Sequence, residues 1–304
     1  MSDETHPPHS AAYFGPERDF WWNIDHLELI ATRRGFADVR SVLDVGSGVG
    51  HWGMLLAAVL PAEASITGVE REPAWVREAT ARAERLGFAD RCRYEQGVAE
   101  SLPFDDASFD VVTCQTVLIH VADPPAVIHE MVRVTKPGGQ IIAAEPNNLA
   151  SSLVTSSLSA GADVEGLLDD IRFAMTCERG KVALGEGNDS VGDLLPGLFA
   201  AEGLVEVEAC LSDKTTAMFP PYAAPEQRAL RANILEAARC GDWGRSREEA
   251  YRLFVAGGGG GEQFDVAWQR RIDEAGATAG AIDAGTFHSA LGGLHYLVAG
   301  RRPY

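Results

Sequence analysis

The 304-residue chain is short of basic residues, of paired cysteines and of long apolar runs. Lysine and arginine number 26 against 44 aspartates and glutamates, a formal net charge of −18. Phosphate backbones need a basic face, so nucleic acid is excluded as the main partner. The pairs Arg270–Arg271 and Arg301–Arg302 are too short to restore one. The five cysteines (Cys92, Cys114, Cys177, Cys210, Cys240) are scattered, with no C-x-x-C. That pattern gives no metal site and fits a reducing cytoplasm. No apolar run approaches the ~20 residues that span a bilayer, so no membrane partner is expected. Met1 to Ser10 is polar, with acids and prolines, and reads as a loose tail rather than a signal peptide.

What is present is a 46% hydrophobic chain, long enough for one large domain or a domain with a sizeable insertion. Strand signals lie at Ser41–Val45, Ser65–Glu70, Cys92–Gln96, Phe109–Cys114 and Gln140–Glu145. Helical segments, Trp52–Leu60, Ala74–Leu86 and Pro125–Val134, fall between them, and Lys136-Pro137-Gly138-Gly139 breaks the chain before the fifth strand. Such alternation predicts a doubly wound, mostly parallel α/β sheet. Gly203–Ala209 and Leu294–Gly300 read as two closing strands, making seven, with a weak helical signal at Val191–Ala201. Between the closing strands, Pro225–Ala238, Arg247–Val255 and Phe264–Ala275 read as helices, interrupted by a flexible glycine run, Gly257–Gly261.

The stretch Ser41-Val42-Leu43-Asp44-Val45-Gly46-Ser47-Gly48-Val49-Gly50 carries the chemistry. A strand bearing an acid breaks into alternating glycines and then a helix. Glycines there permit positive φ and a close ligand approach, and the helix start offers N–H groups. The dinucleotide fingerprint would place its third glycine at position 51, where this chain has His51. Asp44 instead stands two residues before the first glycine. D-x-G-x-G-x-G resembles the first motif of the class I S-adenosyl-L-methionine (SAM) methyltransferases. Glu70 ends the second strand, where an acid can accept both ribose hydroxyls. Gln96 to Val112, Val117 to Pro124 and Glu130 to Gly139 resemble successive segments of the ubiquinone/menaquinone C-methyltransferase branch, in order from Arg40 to Asn147.

The resemblance implies roles. Gly46, Gly48 and Gly50 would pass under the methionine part of SAM, with Asp44 near its ammonium group. Glu70 would hold the ribose, with Arg71 beside the adenine and Val98 and Ala99 lining it. The family usually has aspartate at the position of Val98, so the adenine amino group lacks its expected acceptor; Glu100 is a candidate replacement. Gln115 would face SAM from the switch-point crevice. His120 would orient the acceptor, act as a base, or pack its loop. Glu145, Asn147 and Asn148 end the fifth strand, as acceptor residues or as a hydrogen-bonded loop. The aromatics Tyr13, Phe14, Phe20, Trp21 and Trp22 read as lid or core, and Tyr222, Trp243, Tyr251, Phe254, Phe264 and Trp268 of the insertion divide between its own core and an apolar acceptor pocket.

These readings give an N-terminal tail and lid over 1–39, a SAM domain over 40–213, a helical insertion over 214–291 acting as a cap, and a last strand over 292–304. The expected activity is cytoplasmic methyl transfer to an O, N or C atom of a small, partly apolar, quinone-like or secondary-metabolite acceptor. A non-catalytic SAM-binding protein is the main alternative. An NAD-dependent oxidoreductase is disfavoured by His51. No pattern specifies an oligomeric state.

Overall fold

From Val42 to Val45 every residue of the first strand is buried, where a half-exposed strand would alternate. A strand of this kind has both faces covered, as in the interior of a parallel sheet. The computed structural model describes residues 18, 20–241 and 245–304. Its strands are β1 (Ser41–Val45), β2 (Ser65–Glu70), β3 (Cys92–Gln96), β4 (Phe109–Gln115), β5 (Thr135–Asn147), β6 (Val205–Leu211) and β7 (Leu294–Arg301). Its α-helices are α1 (Ile24–Arg34), α2 (His51–Val59), α3 (Pro73–Leu86), α4 (Pro124–Val134), α5 (Val164–Ala183), α6 (Leu195–Ala201), α7 (Pro225–Cys240), α8 (Arg247–Ala256) and α9 (Gly261–Asp283).

The sheet order is β3-β2-β1-β4-β5-β7-β6. Neighbours from β3 to β5 pair in parallel, and β6 pairs antiparallel with β7. The winding reverses between β1 and β4, the switch point at which such sheets bind ligands. Register sets Asp44 opposite Gly68 on β2 and Thr113 on β4. The expected seven-stranded, mostly parallel sheet is therefore present. β5 begins earlier than its apolar run, but its pairing with β4 lapses between Thr135 and Gln140, over the Lys136–Gly139 breakers.

The chain divides into two compact units. The sheet unit takes Trp22–Pro146, Ser190–Asp213 and His295–Tyr304. Its core joins Leu43, Val45, Val112, Ile128, Met131, Ile141 and Phe199. The helical unit takes Asn147–Asp189 and the described residues of Lys214–Leu294. Segment 147–189, expected in the SAM domain, belongs to the helical unit, because Phe173 and Cys177 of α5 join Leu253, Phe254, Phe264 and Trp268 of α8 and α9 in one core. Trp22, expected in a lid or core, is a core residue of the sheet unit: it is 5% exposed, with its ring 5.3 Å from that of Trp52. Tyr13, Phe14 and Trp243 lie outside the described residues.

The glycine run is not a flexible linker. Gly257 closes α8 by donating its N–H to the Leu253 carbonyl, and Gly260 caps α9. A Cβ on Gly257 would overlap the Thr176 carbonyl, and one on Gly180 would overlap that of Leu253. The glycines thus let α5 and α8 approach backbone to backbone, and Gly258, at φ +95°, turns the chain between helices. Behind α5, Lys181 is buried and pairs with Asp189, which also holds Arg245.

Candidate functional site

β1 delivers Asp44 to the switch point, and the next residues form the glycine turn. Gly46, Gly48 and Gly50 all have positive φ, at 64°, 52° and 82°. A Cβ on Gly46 would lie 2.5 Å from Cγ2 of Val117, and one on Gly50 would run into the Tyr94 hydroxyl. Two of the glycines are therefore required by the protein's own packing, through Val117 and Tyr94, neither of which the sequence reading singled out. The turn is closed by Gly50 N–H donating to the Ser47 carbonyl at 2.8 Å, and α2 starts with Met54 N–H donating to Gly50.

Asp44 is 1% exposed, and its Oδ2 accepts the Gly53 N–H at 3.1 Å, tying β1 to the first turn of α2. Burial pushes its carboxyl up to about 8; the Gly53 N–H draws it down and the neighbouring Glu70 charge raises it further. Glu70 is 7% exposed and folded onto the turn. Its Oε2 accepts the Gly48 N–H at 3.0 Å and its Oε1 the Glu72 N–H at 3.0 Å. Each oxygen keeps a further lone pair for a hydroxyl donor.

Past β3, Gly97 N–H donates to the Glu70 carbonyl at 3.1 Å. Val98 and Ser101 form an isolated bridge. Val98 is 41% exposed, whereas Ala99 packs against the core. Glu100 and Arg71 are exposed, and the Arg71 carbonyl accepts from Gln96 Nε2 at 3.1 Å. A fork on α4 fixes the following loop. Arg133 donates to the Leu102 and Phe104 carbonyls at 3.0 and 2.8 Å, and Glu130 accepts the Leu102 N–H at 2.9 Å. Both residues lie in the Glu130–Gly139 run, which in the sequence stands out only by its resemblance.

Gln115 is half-buried at the end of β4. Thr116 follows at φ +53°, and a 3-10 turn, Leu118–His120, ends in half-buried His120. Glu145, offered above as an acceptor residue or loop anchor, is 0% exposed. It accepts the Val117, Leu118 and Ile119 N–H groups at 2.8, 3.0 and 3.3 Å. That corrects its acceptor role, since the carboxylate is spent inside the protein. Burial pushes it up to about 7, against the pull of the three amides. Tyr222 is corrected likewise: it is buried with Met218, Ile282 and Phe287, and its hydroxyl donates to the Phe287 carbonyl at 2.9 Å. Asn147 Oδ1 accepts the Ala150 N–H at 3.0 Å, capping a local turn. Trp21 carries the Arg18 guanidinium 4.6 Å from its ring centre.

The turn has room in its chemistry for a polar ligand. Ser47 Oγ, within the glycine turn, is buried and has no hydrogen-bond partner among the described residues. Buried polar atoms of this kind are seldom left unpaired. Three acids, Asp44, Glu70 and Glu145, stand at or near the carboxyl ends of β1, β2 and β5.

A family model for a methyltransferase domain matches residues 38–184. The ubiquinone biosynthesis O-methyltransferase of Paracidovorax citrulli is 30% identical over 165 residues, 50% of this chain and 68% of that protein. The uncharacterized methyltransferase YcgJ of Bacillus subtilis is 34% identical over 142 residues, and the chain spans only about half of it, 54%. The first few such relatives are all covered over less than two thirds of their length. In solved structures, YcgJ superposes with a TM-score of 0.50 at 19% identity, over 93% of this chain and 100% of that one. A candidate sarcosine dimethylglycine methyltransferase from Galdieria sulphuraria gives 0.52 at 17%, over 92% and 85%. Identities that low bear on the fold alone. Taken with the Paracidovorax relative and the glycine turn at the switch point, they make this chain a member of the Rossmann-like class I SAM-dependent methyltransferase family.

Proposed function

We propose that the chain transfers a methyl group from SAM to an O, N or C atom of a small, partly apolar acceptor. The observation that carries this is the glycine turn at the β1/β4 switch point, with Glu70 hydrogen-bonded to Gly48 at its edge. Gly46, Gly48 and Gly50 would pass under the methionine part, with Asp44 and Ser47 serving its polar groups. Glu70 would accept the ribose hydroxyls, and Arg71, Val98 and Ala99 would border the adenine. Val98's exposed apolar surface suits a ring laid over it. SAM, when bound, supplies the methyl on a sulfonium, which leaves as a neutral thioether.

The chain's own contribution is then alignment and exclusion of water. Gln115 stands at the end of β4, the strand that pairs with β1. A base is needed only where the acceptor must lose a proton, and His120 is the imidazole nearest in sequence to the end of β4. Ubiquinone and menaquinone methyltransferases among the relatives support a quinone-like acceptor. The test is a thermal-shift titration with SAM, its demethylated product S-adenosylhomocysteine (SAH) and NAD, followed by turnover. SAM and SAH should raise the melting temperature and NAD should not. Formation of SAH with a phenolic or quinol acceptor would establish catalysis. Binding without turnover across an acceptor panel would favour a SAM-binding protein that does no chemistry.

A further inference from the structure

Burying a carboxylate is costly, and a hydrocarbon would fill the place of Glu145 more cheaply if packing were its only purpose. Its surroundings indicate a different purpose. The Cys114 thiol donates to it at 3.7 Å, and three consecutive amides, those of Val117, Leu118 and Ile119, converge on it. Successive N–H groups aimed at one anion form a nest that fixes the backbone that makes it. The backbone here needs fixing. Thr116 is β-branched and sits at φ +53°, a costly conformation held only by its surroundings. The held loop also packs against the glycine turn. The Val117 side chain fills the space where a Cβ of Gly46 would stand. His120 closes the same turn, its N–H donating to the Val117 carbonyl at 2.9 Å.

We propose that Glu145 is a positioning residue: by gathering the amides of Val117–Ile119 it seats Val117 against the cofactor turn and presents His120 beside it. One carboxylate on β5 thereby sets the cofactor turn on β1 and the acceptor loop after β4 together. The proposal rests on the cofactor reading of the glycine turn.

The experiment uses the full chain at pH 8, with Glu145→Gln, Glu145→Asp, Val117→Ala and the double variant Glu145→Gln/Val117→Ala. Amide exchange reads the loop, and calorimetric titration with SAH reads the cofactor turn. Glu145→Gln should speed exchange at residues 117–119 about tenfold or more and weaken SAH binding about tenfold, because charge-assisted bonds are replaced by weaker ones. Val117→Ala should weaken SAH binding while leaving the Leu118 and Ile119 amides slow. The double variant should bind SAH no more weakly than the worse single one, since both act through one contact. Additive losses, or unchanged SAH affinity in Glu145→Gln, would overturn the proposal. If Glu145→Gln does not fold, Glu145→Asp and Val117→Ala decide it, and wild-type SAH affinity in Val117→Ala refutes it. If the wild type binds no SAH, the cofactor reading fails, and with it the link to the cofactor turn. The exchange arm still decides whether Glu145 holds the loop.

Discussion

Glu145 should make the protein less stable as the pH rises through neutrality. Its carboxyl titrates at about 7 in the fold, against an ordinary 4.5, because burial disfavours the charge. Between those values the native state holds a proton that the unfolded chain has released. Stability falls with pH wherever the native state binds more protons. The contribution is therefore fully present below pH 4.5 and is lost as the pH passes 7. Its size is about 3 kcal/mol. Asp44, raised from 3.8 to about 8, acts in the same direction over a wider range. Asp110 and Glu130, whose carboxyls are held below their ordinary values, act the opposite way, but only at more acid pH. Urea unfolding followed by tryptophan fluorescence at pH 5, 6, 7 and 8 checks this, for wild type and Glu145→Gln. Whatever the variant's offset at pH 5, where part of the loss has already occurred, the wild-type advantage over it should shrink by a further ~2.5 kcal/mol by pH 8. A difference that stays constant across that interval would refute the reasoning.

Other consequences are separable. Glu70→Ala should weaken SAM binding by ~1.5–3 kcal/mol through lost charge-assisted hydrogen bonds, read by calorimetry; an unchanged affinity would remove Glu70 from the ribose. Val98→Asp should tighten SAM binding, and the wild type should tolerate an N6-methylated SAM analogue; strict rejection of the analogue would point to another acceptor such as Glu100. His120→Ala should lower the turnover rate ~10²–10⁴-fold at unchanged SAM affinity if its imidazole takes the acceptor's proton, whereas near-wild-type rates assign it to the loop. Gly180→Ala should destabilise the helical unit by about 1–3 kcal/mol, because the added methyl meets the Leu253 carbonyl; a neutral effect on urea unfolding would contradict the close α5–α8 contact.

Legibility followed the strength of the local signal. β1 and β2 have the bounds expected from their apolar runs, since pattern and burial agree there, and β3 has the expected bounds although it is mostly polar and exposed. α5 went unread because Gly166 and Gly180 interrupt it, and their reason lies across the fold in Arg270 and Leu253. The glycine run at 257–261 looked like a linker for a related cause. A sequence shows that side chains are missing, not that neighbouring backbone occupies their space. Glu145 is the clearest case within the site. At a strand end a carboxylate reads equally as ligand contact or loop anchor, and only the three converging amides decide between them.

The same distinction bears on how much the glycine motif itself can say. Gly46 is confined by Val117 and Gly50 by Tyr94, so both would be retained by a protein that had lost its ligand but kept its fold. Their positive φ angles serve the turn whether or not anything lies above it. Ser47 and Glu70 are different. A buried hydroxyl without a partner stabilises nothing in the protein, and Glu70 spends only one lone pair of each oxygen on the amides of Gly48 and Glu72. Packing explains the glycines but leaves these polar atoms unaccounted for. Ser47 and Glu70 thus point to a bound cofactor more than the motif that first draws attention, and because Glu70 also holds two amides of the turn, substitution of Ser47 tests ligand binding with least disturbance to the fold. Ser47→Ala should keep the unfolding free energy within about 1 kcal/mol of wild type, because no hydrogen bond to the described residues is lost. It should nonetheless weaken SAM binding; a variant that binds SAM as wild type does would return the turn to a purely structural account.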